Sequence, residues 1–127
     1  MDWQLTIFLI VVFLLAFFIF YSRHTLNKNV TYLKEEEFTN NMRKGQLVDI
    51  RKKEVYDEGH INGARNIPIV QLTRNYNRLR LDQPVYLICN NGKMSRRASA
   101  VLTSKGFKVY SLEGGLESWS KPLRSKK

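Results

Sequence analysis

Pro84-Val85-Tyr86-Leu87-Ile88-Cys89-Asn90-Asn91-Gly92-Lys93-Met94-Ser95 is the stretch on which the fold turns. Pro84 to Ile88 reads as a buried strand, and it delivers the chain's only cysteine into a short loop. Ser95-Arg96-Arg97-Ala98-Ser99-Ala100-Val101-Leu102 then reads as a helix. A thiol at the carboxyl end of a strand, facing a helix N-terminus, meets unpaired backbone N–H groups. The positive end of the helix macrodipole adds to them, and both favour negative charge on sulfur. Cys89 is therefore the candidate nucleophile, against the plainer alternative of an inert core cysteine.

The flanking sequence repeats the strand-and-helix theme. Val30 to Leu33 alternates like an edge strand, and Glu35 to Arg43 predicts a helix with Phe38 and Met42 on one face and Gly45 as its stop. Leu47 to Ile50 reads as a buried strand, Lys53 to Glu58 as a short helix ended by Gly59, and Ala64 to Ile67 as another strand. Val70 to Leu79 reads as a helix with Leu72, Tyr76 and Leu79 on one side. Gly106 ends the helix after Cys89, Phe107 to Leu112 returns as a strand, and Leu116 to Trp119 makes a last helical turn beyond Gly114-Gly115. The fold class expected is α/β, a small, mostly parallel sheet with helices on both faces. Ligands bind beyond the carboxyl ends of such strands, where Cys89, Asp49 and Arg51 are expected to lie.

Ahead of this domain, Leu5 to Tyr21 holds one polar residue, Thr6, and no charge. From Trp3 to Tyr21 the run covers about 19 residues, roughly 28 Å as a helix, close to the thickness of a bilayer's hydrocarbon core. Aromatic residues at both ends suit the membrane interfaces. A cleaved signal peptide would want a positive n-region and small residues at a cleavage site, whereas Asp2 precedes the run and Ser22-Arg23-His24 follows it. The organisation expected is a transmembrane anchor over 1–22, a juxtamembrane linker over 23–29, a domain over 30–121 and a basic tail over 122–127. Arg23 and Lys28 follow the helix, so the positive-inside rule puts the N-terminus outside and the domain in the cytoplasm. A single cysteine excludes an internal disulfide framework and suits a reducing compartment.

The chain carries a net charge of +10. All 21 basic residues but only 10 of the 11 acidic ones follow the apolar run, which leaves +11 on the soluble side. Zinc-ligand spacing, an aromatic-basic RNA motif and a basic helix are all missing, which argues against a nucleic-acid partner. An anionic leaflet is the better electrostatic partner for a tethered domain, at about 1 kcal/mol per basic group near the surface. Simple solubility is the plainer reading of the same charge.

Three blocks of the sequence, in order, resemble a rhodanese-like domain. The first is Asp49-Ile50-Arg51, then Tyr56 and Gly59-His60-Ile61-Asn62-Gly63-Ala64-Arg65-Asn66-Ile67-Pro68; the second is Cys89-Asn90-Asn91-Gly92-Lys93-Met94-Ser95. The third is Leu112-Glu113-Gly114-Gly115-Leu116, closing on Trp119. The layout is similar to membrane-anchored, single-domain bacterial members of that family. The resemblance implies a sulfurtransferase or persulfide carrier. Cys89 would take sulfane sulfur from thiosulfate or another persulfide and pass it to a thiol or to cyanide, with no metal or organic cofactor. It also implies that residues 90 to 94 cradle the persulfide with their backbone amides. Many members carry arginine where this chain has Met94, so Lys93, Arg96 and Arg97 would meet an anionic donor as more loosely placed charges. Cysteine-based phosphatases need arginine after five intervening residues, and Ser95 stands there instead.

Each neighbouring residue has a functional and a structural reading. Gly92 supplies a positive φ or a close backbone approach, or is an ordinary turn glycine. Lys93 recognises donor or acceptor, or is a solvated lysine. Ser95 hydrogen-bonds the sulfur or caps its helix. Asp49 and Arg51 pair with one another as supports or reach the loop. His60, entering a tight turn, reads as a hydrogen-bonded structural histidine, and Trp119 as packing for the C-terminal turn. The alternative to an enzyme is a non-catalytic rhodanese-like module docked beside a membrane protein.

Overall fold

The computed structural model describes residues 2–28 and 30–125. In chain order its elements are α1 (Trp3–Lys28), β1 (Thr31–Leu33), α2 (Glu35–Asn41), β2 (Gln46–Asp49), α3 (Lys53–Glu58), β3 (Arg65–Asn66), α4 (Ile69–Arg74), β4 (Val85–Ile88), α5 (Lys93–Ser104) and β5 (Val109–Leu112). Short 3-10 turns lie at Met42–Lys44, Tyr76–Arg78 and Gly115–Ser118. The strands form one sheet in the order β1-β5-β4-β2-β3, and every pairing is parallel.

Side chains alternate across this sheet and build a core on each face. Val85, Leu87 and Cys89 join Val48 and Ile50 under Leu72 of α4 and Ala98 and Leu102 of α5. Tyr86 and Ile88 join Leu47 under Phe38 of α2 and Tyr56 of α3. Every residue of the central strands β2 and β4 is buried, whereas the edge strands β1 and β3 keep exposed positions. Phe38 meets Tyr86 edge-to-face at 5.6 Å, the arrangement favoured by ring quadrupoles. The register aligns Tyr32, Ser111, Leu87 and Val48 across four neighbouring strands. Ser111 therefore shares a face with Leu87, one pleat short of Cys89.

Several expected boundaries shift for local reasons. The helix expected over Val70 to Leu79 ends at Arg74, because Asn75 takes φ −135° and ψ 69° and the chain resumes as a 3-10 turn. Asparagine competes poorly for helical backbone. The helix expected over Glu35 to Arg43 tightens to 3-10 geometry from Met42. The helix after the loop starts at Lys93, two residues early, because Gly92 at φ +89° turns the chain directly into it. The strand expected over Phe107 to Leu112 begins at Val109, since Phe107 still donates its N–H back to Leu102.

Helix α1 is longer than the apolar run. Its 26 residues continue through Lys28, so the backbone of the expected linker is helical up to that residue. Trp3–His24, about 33 Å of it, is long and apolar enough to cross a bilayer. Large apolar side chains from Trp3 to Tyr21 are exposed, Phe20 among the most at 70%.

Candidate active site

Cys89 leaves β4 at the carboxyl edge of the sheet with 1% of its surface exposed. Two straps hold the loop that follows. The Cys89 carbonyl accepts the Leu116 N–H at 2.9 Å, and the Asn90 carbonyl accepts the Glu117 N–H at 2.9 Å. Both donors belong to the 3-10 turn opened by Gly114 and Gly115, which explains why the third sequence block lies against the second. A Cβ on Gly115 would sit 2.5 Å from the Asn90 carbonyl carbon, so only glycine permits this approach.

Within the loop the backbone turns back on the sulfur. The Gly92 N–H donates to Cys89 Sγ at 2.9 Å. Asn91 Oδ1 accepts the Lys93 N–H at 3.1 Å and relieves one unpaired amide of the first turn of α5. Beneath the loop lies a buried chain of hydroxyls. Ser111 Oγ donates to Ser95 Oγ at 2.5 Å, Ser95 Oγ donates to the Gly92 carbonyl at 2.9 Å, and the Cys89 thiol points at Ser95 Oγ from 3.5 Å. Ser95 and Ser111 are 0% and 1% exposed. Charge developing on Sγ thus meets one backbone donor, a hydroxyl able to rotate toward it, and the N-terminus of α5.

Above the loop is a mouth of about 330 Å³ lined by Tyr32, Gly92, Lys93, Arg96 and Glu113 among others. Tyr32 reaches in from β1 and donates its hydroxyl to the Gly92 carbonyl at 3.2 Å. A larger cleft of about 460 Å³ lies between Lys53, Asp57, Arg65 and Arg78; the smaller mouth is the one whose lining includes Gly92, the residue that donates its N–H to Cys89 Sγ.

The residues expected at the site separate into two groups. Asn91, Gly92, Lys93, Ser95 and Arg96 gather around Cys89 or its mouth, with Asn90 exposed beside it. Met94 does not line the mouth and packs, partly buried, against the core on the α4–α5 face, the cluster that also holds Cys89. Asp49 and Arg51 bind one another: Nη2 donates to Oδ2 at 2.8 Å and Nε to Oδ1 at 3.0 Å, with both side chains buried. Arg51 Nη2 also donates to the Gly59 carbonyl at 2.7 Å, and the Asn66 amide bridges the carbonyls of Asp49 and Arg51. The pair braces the turn before β3. His60 stacks on Tyr56 with ring centroids 3.8 Å apart, and its Nδ1 is 2.8 Å from the Tyr56 carbonyl, which fixes the proton on Nδ1. Burial raises the Tyr56 hydroxyl's pKa above the usual value, so it remains a donor, here to the Ala64 carbonyl.

Two site residues escape the sequence reading. Ser111 occupies a core-facing position of β5, where a serine among apolar neighbours was the available signal. Tyr32 is an exposed aromatic on an edge strand, and its contact with Gly92 spans the sheet edge, so no local pattern announces it.

Comparison with known proteins agrees with this geometry. The model of the rhodanese-like domain family matches residues 34–122. The YqhL protein of Bacillus subtilis (strain 168) is 41% identical over 118 residues, which span 92% of this chain and 90% of that protein. The thiosulfate sulfurtransferase GlpE of Pseudomonas fluorescens (strain SBW25) is 43% identical over 74 residues, 58% of this chain and 68% of that enzyme. Among solved structures, a rhodanese-like domain protein from Staphylococcus aureus superposes with a TM-score of 0.69 at 26% identity, covering 76% of this chain and 99% of that one. A rhodanese-related protein from Thermoplasma volcanium gives the same TM-score and identity over 74% of this chain and 97% of that one. With a cysteine-bearing loop at the carboxyl edge of a parallel sheet, and with these relatives, the chain belongs to the rhodanese-like domain family, which includes sulfurtransferases.

Proposed function

We propose that this chain is a membrane-tethered sulfurtransferase or persulfide carrier working through Cys89. The observation that carries this reading is the Gly92 N–H held 2.9 Å from Sγ, with Ser95 Oγ 3.5 Å from the same sulfur. In the first half-reaction the Cys89 thiolate attacks the sulfane sulfur of a donor. A new Sγ–S bond forms, and the donor's sulfur–sulfur bond breaks with its electron pair leaving on the donor, as sulfite when the donor is thiosulfate. In the second, an acceptor thiolate or cyanide attacks the outer sulfur, and the electron pair of the Sγ–S bond returns to Cys89. Residues 90 to 94 and Ser95 form the persulfide cradle, Arg96 stands at its mouth, and Asp49 and Arg51 support it from a distance. Met94 packs inward, which leaves Lys93 and Arg96 as the cations available to an anionic donor. Persulfide donors accordingly suit the site better than thiosulfate.

Residues 1–22 serve as anchor, 23–29 as the link, 30–121 as the domain and 122–127 as a basic tail. The length of α1 beyond Tyr21 supports a helix that crosses the bilayer and projects from it. Arg23 and Lys28 support an outside N-terminus and a cytoplasmic domain. Protease treatment of right-side-out and inverted vesicles tests this, with cleavage of the domain expected only in the inverted ones.

A second reading, a non-catalytic module docked on a membrane protein, is favoured by the near-complete burial of Cys89. Intact mass of the full chain in detergent micelles, after incubation with thiosulfate or a persulfide donor, separates the two. Gain of one sulfur atom, reversed by cyanide and absent in Cys89→Ser, is expected. Absence of the adduct from a folded protein with either donor favours the docking module.

A further inference from the structure

The mouth beside the Cys89 loop, lined by Gly92 next to the sulfur, carries charges of both signs that form no ion pair among the described residues. Lys93 and Arg96 stand three residues apart in the first turn of α5, so they share one helix face. Glu113 approaches from the other wall, just after β5, where its N–H is fixed to the Leu33 carbonyl at 2.8 Å. All three line the same cavity of about 330 Å³. Among the described residues the ion pairs are Arg51–Asp49, Lys53–Asp57 and Arg80–Asp82, and none involves these three side chains. Glu35 offers a contrast. Its carboxylate is occupied by the N–H and hydroxyl of Ser120. In a chain with nearly twice as many basic as acidic residues, Glu113 thus lines a cavity with two cations while pairing with neither. A small dianion entering the mouth meets Glu113 repulsion, and a simple amine meets Lys93 and Arg96. A molecule with an ammonium and a carboxylate on adjacent sites satisfies both walls.

We propose that this mouth selects a zwitterionic α-amino thiol, of the class of free cysteine, as the acceptor of sulfur from Cys89. Glu113 takes the ammonium, and Lys93 and Arg96 take the carboxylate. The proposal rests on the sulfur-transfer reading above and names the substrate class of that site. The acceptor thiolate attacks the outer sulfur of the Cys89 persulfide. One sulfur–sulfur bond forms as another breaks, the persulfide proton stays with the transferred sulfur, and the electron pair returns to Cys89 as thiolate. Oxidation state is conserved overall, so no further reactant is required.

The test uses the full chain in detergent micelles with one fixed sulfane donor and three acceptors: cysteine, 3-mercaptopropionate (carboxylate only) and cysteamine (ammonium only). Each variant's kcat/KM is divided by the wild-type value for the same acceptor, so the intrinsic nucleophilicity of each thiol cancels. Glu113→Gln is expected to lower the ratio about three- to fivefold for cysteine and cysteamine, the range of an exposed charge contact, and to raise it for 3-mercaptopropionate. The double variant Lys93→Gln/Arg96→Gln is expected to lower cysteine and 3-mercaptopropionate and to raise cysteamine. Equal changes for all three acceptors overturn the proposal. A second arm needs no sulfur transfer: S-methylcysteine added to Cys89→Ser is expected to shift the Gly92 and Gly114 amide resonances, and Glu113→Gln to weaken that shift. Shifts without any sulfur loading on the wild type would preserve the pocket and remove the enzyme. Loading without shifts would remove the pocket alone.

Discussion

Ser111 Oγ lies 2.5 Å from Ser95 Oγ, in the interior, directly behind the sulfur of Cys89. The contact joins β5 to the first turn of α5. It supplies Ser95 with a donor while Ser95 gives its own proton to the Gly92 carbonyl. Ser111→Ala is expected to lower stability by about 0.5–1.5 kcal/mol, the net worth of one hydrogen bond, because Ser95 keeps its contacts with Gly92 and Cys89. A double-mutant cycle with Ser95→Ala, followed by chemical denaturation, should return a coupling of about 1 kcal/mol. A coupling near zero would show that the two hydroxyls act independently. Alkylation of Cys89 in Ser111→Ala is expected to slow relative to wild type, because the loop loses its floor.

The pairing of Asp49 with Arg51 leads to a different kind of loss. Both side chains are buried and bidentate, so removing one leaves the other's charge without compensation. Arg51→Ala is expected to cost about 3–5 kcal/mol in chemical denaturation. Asp49→Asn/Arg51→Met, which removes both charges, should be milder than Arg51→Ala. A double variant as unstable as the sum of its singles would contradict this account.

Gly115 and Gly92 both have positive φ, at 63° and 89°, yet they differ in what surrounds them. A Cβ on Gly92 would meet the Tyr32 ring at an ordinary 3.6 Å, whereas on Gly115 it would enter the Asn90 peptide. Gly92→Ala should cost about 1–2 kcal/mol, the left-handed backbone term alone. Gly115→Ala should cost more and should also displace the loop, which is measurable as a lower denaturation midpoint and slower Cys89 alkylation. Equal midpoints for the two variants would count against the strap.

Glu35 holds the C-terminal segment through Ser120, and those hydrogen bonds lower its carboxyl pKa below the usual value of 4.5. A carboxyl whose folded pKa is depressed contributes stability above its unfolded value and loses it as pH falls through the folded one. Protection of the Ser120 amide from hydrogen exchange is therefore expected to persist above pH 4.5 and to fade below it, with Glu35→Gln lacking this step. Protection that ignores pH in that window would show that the segment is held by other contacts.

Much of the fold was legible because its signals are local. Alternation of apolar residues and the glycine stops at Gly45, Gly59 and Gly106 announced strands and helices in their observed order. The Cys89 loop was legible too, as a strand end, a glycine and a helix start lie within seven consecutive residues. What escaped depends on contacts far apart in sequence. Ser111 meets Ser95 because β5 pairs with β4, and Tyr32 meets Gly92 because β1 flanks β5. The inward turn of Met94 was invisible for the same reason, since its place in the loop is set by core packing on the α4–α5 face. Asn75 shows the reverse failure, where a continuous apolar periodicity concealed a backbone break.

The uniform direction of the strands bears on how sulfur would be exchanged. Helix α1 ends at Lys28, and the chain enters the sheet at the amino end of β1, whereas Cys89 departs from the carboxyl end of β4. The end of α1 and the thiol therefore lie toward opposite rims of the same sheet. Were α1 to span a bilayer, the domain would keep the rim that carries Cys89 away from its own stalk. Water-borne molecules would then reach the Cys89 rim without passing the stalk, and confinement to a surface would raise the local abundance of the protein.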